Sequence, residues 1–211
     1  MKIGFIGYGQ VGAPLADHLQ RLGHEVILGA HDPNSERLKK VLAKNAHLKV
    51  ASPKDAVRDA EVVFLATPFH ANEAALAVVA EEIRGKILID CTNPVGANLS
   101  HGLNSVQSGS EMVQSLIPDT KVVKAFTIYG FENFEDSSYP NDTVKPVMMY
   151  CGEDPTAKER VGQLILQLGW DPLDVGGLEQ ALHLEHMTLL WIRMVRVNGH
   201  SPHMVWAKLC R

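Results

Sequence analysis

Apolar positions along the chain keep two rhythms. Mostly apolar runs at 3–6, 26–28, 61–66, 86–90, 121–126 and 146–151 read as strands, and the near-continuous 61–66 run is of the kind buried on both faces. Between them Val11, Leu15, Leu19 and Leu22 recur at helical spacing. Further helices are predicted over 34–44, from Ser52-Pro53, over 72–83, 110–117 and 154–168, with Gly169 as a stop. A brief strand near 48–50 and an edge strand over 170–175 complete the alternation. Strands alternating with helices specify an α/β fold built on a doubly wound parallel sheet. The last long helix, 177–197, carries Leu178, Leu182, Leu189, Trp191, Ile192 and Val195 on more than one stripe. It is therefore either sandwiched within the chain or a subunit contact that makes a homodimer.

Between the first strand and the first helix stands Gly7-Tyr8-Gly9-Gln10-Val11-Gly12. In this strand–turn–helix setting G-x-G-x-x-G has a mechanism. Gly7 allows the tight turn, Gly9 lets a pyrophosphate reach the backbone, and Gly12 lets the helix lie close on the strand. The free N–H groups at the helix start then face the phosphates, which the helix dipole also favours. The expected architecture is a Rossmann dinucleotide-binding domain over 1–145 with a small carboxyl-terminal extension over 146–211. The second strand ends without a carboxylate: Ala30 and His31 stand where an acidic residue would select NAD by its ribose hydroxyl. With Arg37 and Lys39 close by, NADP is favoured. Asp32 argues for NAD, and a solvated loop is the competing reading.

Ligands in open α/β sheets bind outside the carboxyl ends of the strands. Thr67 and Pro68 follow the 61–66 strand, and His70 is either a pocket group or a solvated helix-start histidine. Asn93 and Pro94 follow the next strand, where Asn93 offers a donor and an acceptor to a carboxamide. Cys91 has no basic neighbour in sequence and reads as an inert buried thiol. Residues 96–109 form a long loop, a lid or a mere connection. The segment Thr127-Ile128-Tyr129-Gly130-Phe131-Glu132-Asn133-Phe134 is either a wall for a flat ring or core.

Composition narrows the classes. The 211 residues are 45% hydrophobic and carry a net charge of −4, and no basic block exceeds Lys39-Lys40, which speaks against nucleic acid or an anionic membrane as partner. Three cysteines, odd in number and far apart, give no disulfide framework or zinc ribbon, and a reducing cytoplasm fits. No leader or spanning segment is expected. His183 and His186, and again His200 and His203, are spaced by three, but without a third ligand or H-E-x-x-H no metal site is expected.

The order of motifs, namely Gly7 to Gly12, Ala66-Thr67-Pro68, Lys124-Ala125-Phe126, Cys151-Gly152-Glu153-Asp154 and Leu184-Glu185-His186-Met187-Thr188-Leu189-Leu190-Trp191-Ile192, resembles the NADP oxidoreductases dependent on the deazaflavin coenzyme F-420. It is also similar to the cytoplasmic oxidoreductase domain of the STEAP family. The resemblance implies NADPH bound at Gly7, Gly9, Gln10 and Val11, with Ala30 and His31 bordering the 2′-phosphate. It puts Thr67 and Pro68 along the cofactor, Asn93 and Pro94 near the nicotinamide, and Thr127 and Ile128 between it and the acceptor. Many relatives have Ser or Asn followed by Arg at Ala30-His31, and Asn-Thr at Thr127-Ile128. The activity expected is hydride transfer between NADP(H) and a small, flat acceptor of flavin or deazaflavin type, with His70 and Tyr129 as the groups to test for proton handling. Two alternatives stand: an NADP(H)-binding redox sensor without turnover, and a short relative of 2-hydroxyacid or pyrroline reductases.

Overall fold

A computed structural model of the protein describes residues 1–139 and 144–211. The chain opens with β1 (Lys2–Ile6), whose last four residues are buried, and passes through the glycine turn into α1 (Gly12–Arg21). There follow β2 (Glu25–Gly29), α2 (Glu36–Lys44), β3 (Lys49–Ala51), α3 (Pro53–Arg58), β4 (Val62–Leu65), α4 (Asn72–Val79) and β5 (Ile87–Asp90). The second half runs through α5 (Gly109–Leu116), β6 (Lys121–Lys124), β7 (Val147–Gly152), α6 (Pro155–Gln167), β8 (Asp171–Asp174) and α7 (Ala181–Ile192), which continues into a π turn, Arg193–Val197.

Local chemistry sets most of these limits. Ser35, Ser52, Ser108 and Asp154 each accept a backbone N–H three residues on and so start α2, α3, α5 and α6. Ser108 and Glu111 form a reciprocal capping box. Gly169, at φ +94°, ends α6 as expected.

The eight strands lie in the order β3-β2-β1-β4-β5-β6-β7-β8. From β3 to β6 every pair is parallel, the Rossmann order, with the switch between β1 and β4. The sheet departs from the all-parallel expectation at one place: β7 runs antiparallel to β6, and β8 then pairs parallel with β7. The connection from β6 to β7 contains no α-helix among its described residues, and an antiparallel neighbour needs no helical crossover. β8 carries Pro172 and lies at the sheet edge, where a missing N–H is tolerated.

One apolar layer lies between the sheet and helices α1 and α6, and includes Phe5, Phe64, Phe126, Phe134 and Trp170. Phe5 and Phe64 stack at 4.6 Å, and Phe126 meets Phe134 and Trp170 edge to face. Burying each such ring stabilises the fold by about 2–3 kcal/mol. The opposite face is covered by Leu76, Val79, Ile83, Val113 and Ile117. α7 buries Leu184, Glu185, Thr188, Leu189 and Trp191, so most of it is packed within the chain. The tail returns to the sheet: Trp206 Nε1 donates to the Ile128 carbonyl at 3.0 Å and Trp191 Nε1 to that of Met204 at 2.7 Å.

Candidate functional site

Gly7 turns the chain at φ +100°, and a Cβ there would stand 2.6 Å from the Ala66 carbonyl oxygen. Gly12 is pressed against the Gly7 carbonyl, so the start of α1 lies directly on the turn. Gly9 is different: nothing lies within 4 Å of a Cβ built there, and the backbone faces open space. α1 has no side-chain cap and no acidic residue in its first turn. Its unclaimed N–H groups, beside a glycine that packing does not require, make an anion cradle.

The cradle opens into a cleft of about 950 Å³. Gly7, Gly9, Gln10 and Val11 form its floor, Arg37, Lys40 and Lys44 of α2 one wall, and Thr67 and Pro68 another, with Phe131 and Glu135 closing the side toward α1. Lys44 Nζ reaches Glu135 Oε1 at 3.0 Å across it. Asp32 is not among the residues that line the cleft, and its Oδ1 accepts the Asn34 N–H at 2.9 Å. Of the other residues singled out in the sequence, Ala30 is buried at the end of β2 and His31 is exposed beside it. His70 is exposed on the 3-10 turn Phe69–Ala71. Pro94 is buried and Asn93 partly so. Thr127, Ile128 and Tyr129 are all buried, 2%, 0% and 2% exposed, and do not line the cleft.

Three of these carry buried oxygens with no hydrogen-bond partner among the described residues: Asn93 Oδ1, Thr127 Oγ1 and the Tyr129 hydroxyl. A buried polar atom left alone costs about 1–3 kcal/mol, so the oxygens of Asn93 and Thr127, just past the ends of β5 and β6, suit a polar ligand, whereas the Tyr129 hydroxyl lies in the core near Trp170. Burial pushes the Tyr129 phenol well above its ordinary range, so it stays protonated. Burial likewise raises the Cys91 thiol, which is inert as expected. The chain leaves β6 through Phe126 in the left-handed region, φ +55°, a strained conformation for an aromatic residue.

Beneath the cleft lies a cluster the linear reading missed. Lys124 Nζ meets Asp90 Oδ2 at 3.3 Å and Glu185 Oε1 at 2.9 Å, with all three side chains at most 1% exposed. Burial pulls the Lys124 ammonium down, and the facing carboxylates of Asp90 and Glu185 more than reverse that, holding it above the ordinary lysine value. Glu185 also accepts the Gly109 N–H at 3.0 Å and meets His101 Nε2 at 2.8 Å. His101 Nδ1 accepts the N–H groups of Leu103 and Ser105, which places the ring proton on Nε2. The loop over 96–109 is thereby tied to α7, and Arg193 holds the carbonyls of Asn98 and Leu99 from the same helix. The signal available in the sequence was a charge at the end of one apolar run, Asp90, another inside the next, Lys124, and a lone glutamate in an apolar helix. Among the described residues no three His, Cys, Asp or Glu side chains converge as a metal site, and no helix is long and apolar enough to cross a membrane.

Known proteins share this fold. The family of NADP oxidoreductases dependent on coenzyme F420 matches residues 2–94. The F420-dependent NADP reductase of Methanothermobacter marburgensis is 32% identical, over 92% of this chain and 92% of that protein. Metalloreductase STEAP3 of Rattus norvegicus is 31% identical over 89% of this chain, which spans only 36% of that protein's length. A crystal structure from Arthrobacter sp. FB24, assigned as an F420-dependent NADP reductase, superposes with a TM-score of 0.85 at 31% identity, covering 94% of this chain and 95% of that one. Matched along nearly its whole length by such relatives, the chain belongs to the family of F420-dependent NADP oxidoreductases.

Proposed function

We propose that the protein transfers a hydride between NADP(H) and a flat acceptor of deazaflavin or flavin type. The observation that carries the reading is the uncapped start of α1 above a glycine whose missing Cβ leaves open space. The nicotinamide, when bound, supplies the hydride; the protein supplies binding, alignment and exclusion of water. In this reading Gly7, Gly9, Gln10, Val11 and Gly12 hold the pyrophosphate. Arg37, with Lys40 beside it, attracts the 2′-phosphate next to Ala30 and His31, while NAD lacks the charge they would engage. Thr67, Pro68, Asn93 and Pro94 border the nicotinamide half, and the unpartnered oxygens of Asn93 and Thr127 support a polar ring substituent there. Thr127 and Ile128 back the acceptor. A hydride step of this kind needs no side-chain nucleophile, and neither His70 nor Tyr129 is required as an acid or base.

Residues 1–145 would carry the cofactor and 146–211 brace the sheet. Exposed Leu190 and Val197 on the last helix support a homodimer contact, which light scattering tests. Three free cysteines support a cytoplasmic location. Calorimetry with NADP⁺ and NAD⁺, followed by stopped-flow oxidation of bound NADPH with deazaflavin, flavin or ferric acceptors, tests the whole reading. Rapid oxidation by deazaflavin is the expected result. The similarity to a metalloreductase favours, as second reading, electrons passed onward to a metal ion. Tight binding without oxidation by any acceptor would mean a sensor.

A further inference from the structure

A chain of hydrogen bonds runs from the buried charges to the cleft, and its direction can be read link by link. Asp90 accepts at both oxygens: Oδ1 takes the Thr92 N–H at 2.9 Å and the Thr92 hydroxyl at 2.7 Å, while Oδ2 takes the Ser110 hydroxyl and faces the Lys124 ammonium. Thr92 has therefore committed its only hydroxyl proton and can only accept from its other neighbour. That neighbour is Asn72, 3% exposed, which must present its amide N–H and does so at 2.9 Å. The same requirement turns the Asn72 carbonyl toward Thr67, whose hydroxyl donates to it at 2.7 Å. Thr67 lines the cleft and reaches it with lone pairs only.

Resting on the dinucleotide reading above, we propose that Asn72 is a positioning residue that locks the Thr67 hydroxyl as an acceptor. The cleft then selects, at the end of β4, a hydrogen-bond donor from the nicotinamide-ribose half of the cofactor. β4 lies past the switch from β1, on the side of the sheet that takes that half. The donor is a ribose hydroxyl or a carboxamide N–H, and both present the same chemistry to Thr67.

The test is calorimetry of the full chain with four ligands: NADP⁺, its nicotinic-acid analogue, 2′-phospho-ADP-ribose, and 2′,5′-ADP, which stops short of β4. Thr67→Val should weaken NADP⁺ about threefold to tenfold, the range of one hydrogen bond. Thr67→Ser should restore it to within about twofold, since the hydroxyl returns. Asn72→Leu should weaken NADP⁺ as well, because the Thr67 proton is no longer held away, and Thr92→Val should do the same one link further back. All four variants should bind 2′,5′-ADP as the parent does, which a merely structural defect would not allow. A Thr67→Val penalty that persists with 2′-phospho-ADP-ribose assigns the donor to the ribose; one that vanishes with the nicotinic-acid analogue assigns it to the carboxamide. The proposal is overturned if Thr67→Val binds NADP⁺ like the parent, or if Asn72→Leu and Thr92→Val both do so. Failure of the parent to bind any of the four would sink the dinucleotide reading too, whereas intact 2′,5′-ADP binding with no effect at Thr67 sinks only the proposal.

Discussion

The Gly9→Ala substitution adds a methyl group with nothing within 4 Å of it, whereas Gly12→Ala drives the same methyl into the Gly7 carbonyl oxygen. The first should leave thermal stability unchanged or slightly raised, since Gly→Ala at a compatible backbone gains about 0.4–1 kcal/mol, and should weaken NADP⁺ at least about tenfold by blocking phosphate approach. The second should cost about 1–3 kcal/mol of folding stability through overpacking, measured by urea unfolding without ligand. These roles were legible in the sequence because a glycine turn is decided by neighbours a few residues away. The buried charges were not, because Lys124 meets partners 34 and 61 residues distant. Lys124→Met leaves two carboxylates buried without their cation and should cost about 3–5 kcal/mol in the same unfolding assay.

Among the elements, α2 shows how a helix face can do what a strand tip does not. Arg37, Lys40 and Lys44 follow one another at helical spacing and all reach the cleft, while Asp32 lies outside its lining and accepts the Asn34 N–H in its own turn. Arg37→Ala should therefore weaken NADP⁺ about tenfold and leave NAD⁺ nearly unchanged, by titration of each nucleotide. The sequence pointed to Arg37 with Lys39, but Lys39 pairs with Glu36 and it is Lys40 and Lys44 that join Arg37 at the cleft, a placement the sequence did not carry. Nor did it carry the direction of β7, since the apolar run over 146–151 is the same whether its neighbour runs with it or against it. The segment 127–134 was undecided between ring wall and core, and the burial of Thr127, Ile128, Tyr129 and Phe134 makes most of it core. For α7, apolar on several sides, close packing against the rest of the chain explains the breadth of its stripe.

At the scale of the molecule, protons held in the core couple stability to alkali. Burial raises the Cys91 thiol and the Tyr129 phenol well above their usual values and pushes Cys151 from 9.0 up to about 12. Burial does the same to Tyr139, to about 12. Lys124 is raised by its carboxylates despite its burial. Every one of these shifts is upward, so the unfolded chain releases protons first as pH rises. The stabilisation is whole below the unfolded values and drains away as pH climbs through the folded ones. The urea midpoint should fall steadily between about pH 8 and about pH 11, with Lys124→Met reducing the slope at the upper end.

Glu185 is also the last-made member of the charged cluster, emerging on the ribosome well after Asp90, His101 and Lys124. Until it arrives, the Gly109 amide has no carboxylate to bind and the long loop after β5 lacks its tie to α7 through His101. The phosphate cradle, assembled from the first dozen residues and β4, has no such dependence. Fastening of that loop to the last helix would thus come late in synthesis, after the glycine turn and β4 are already made.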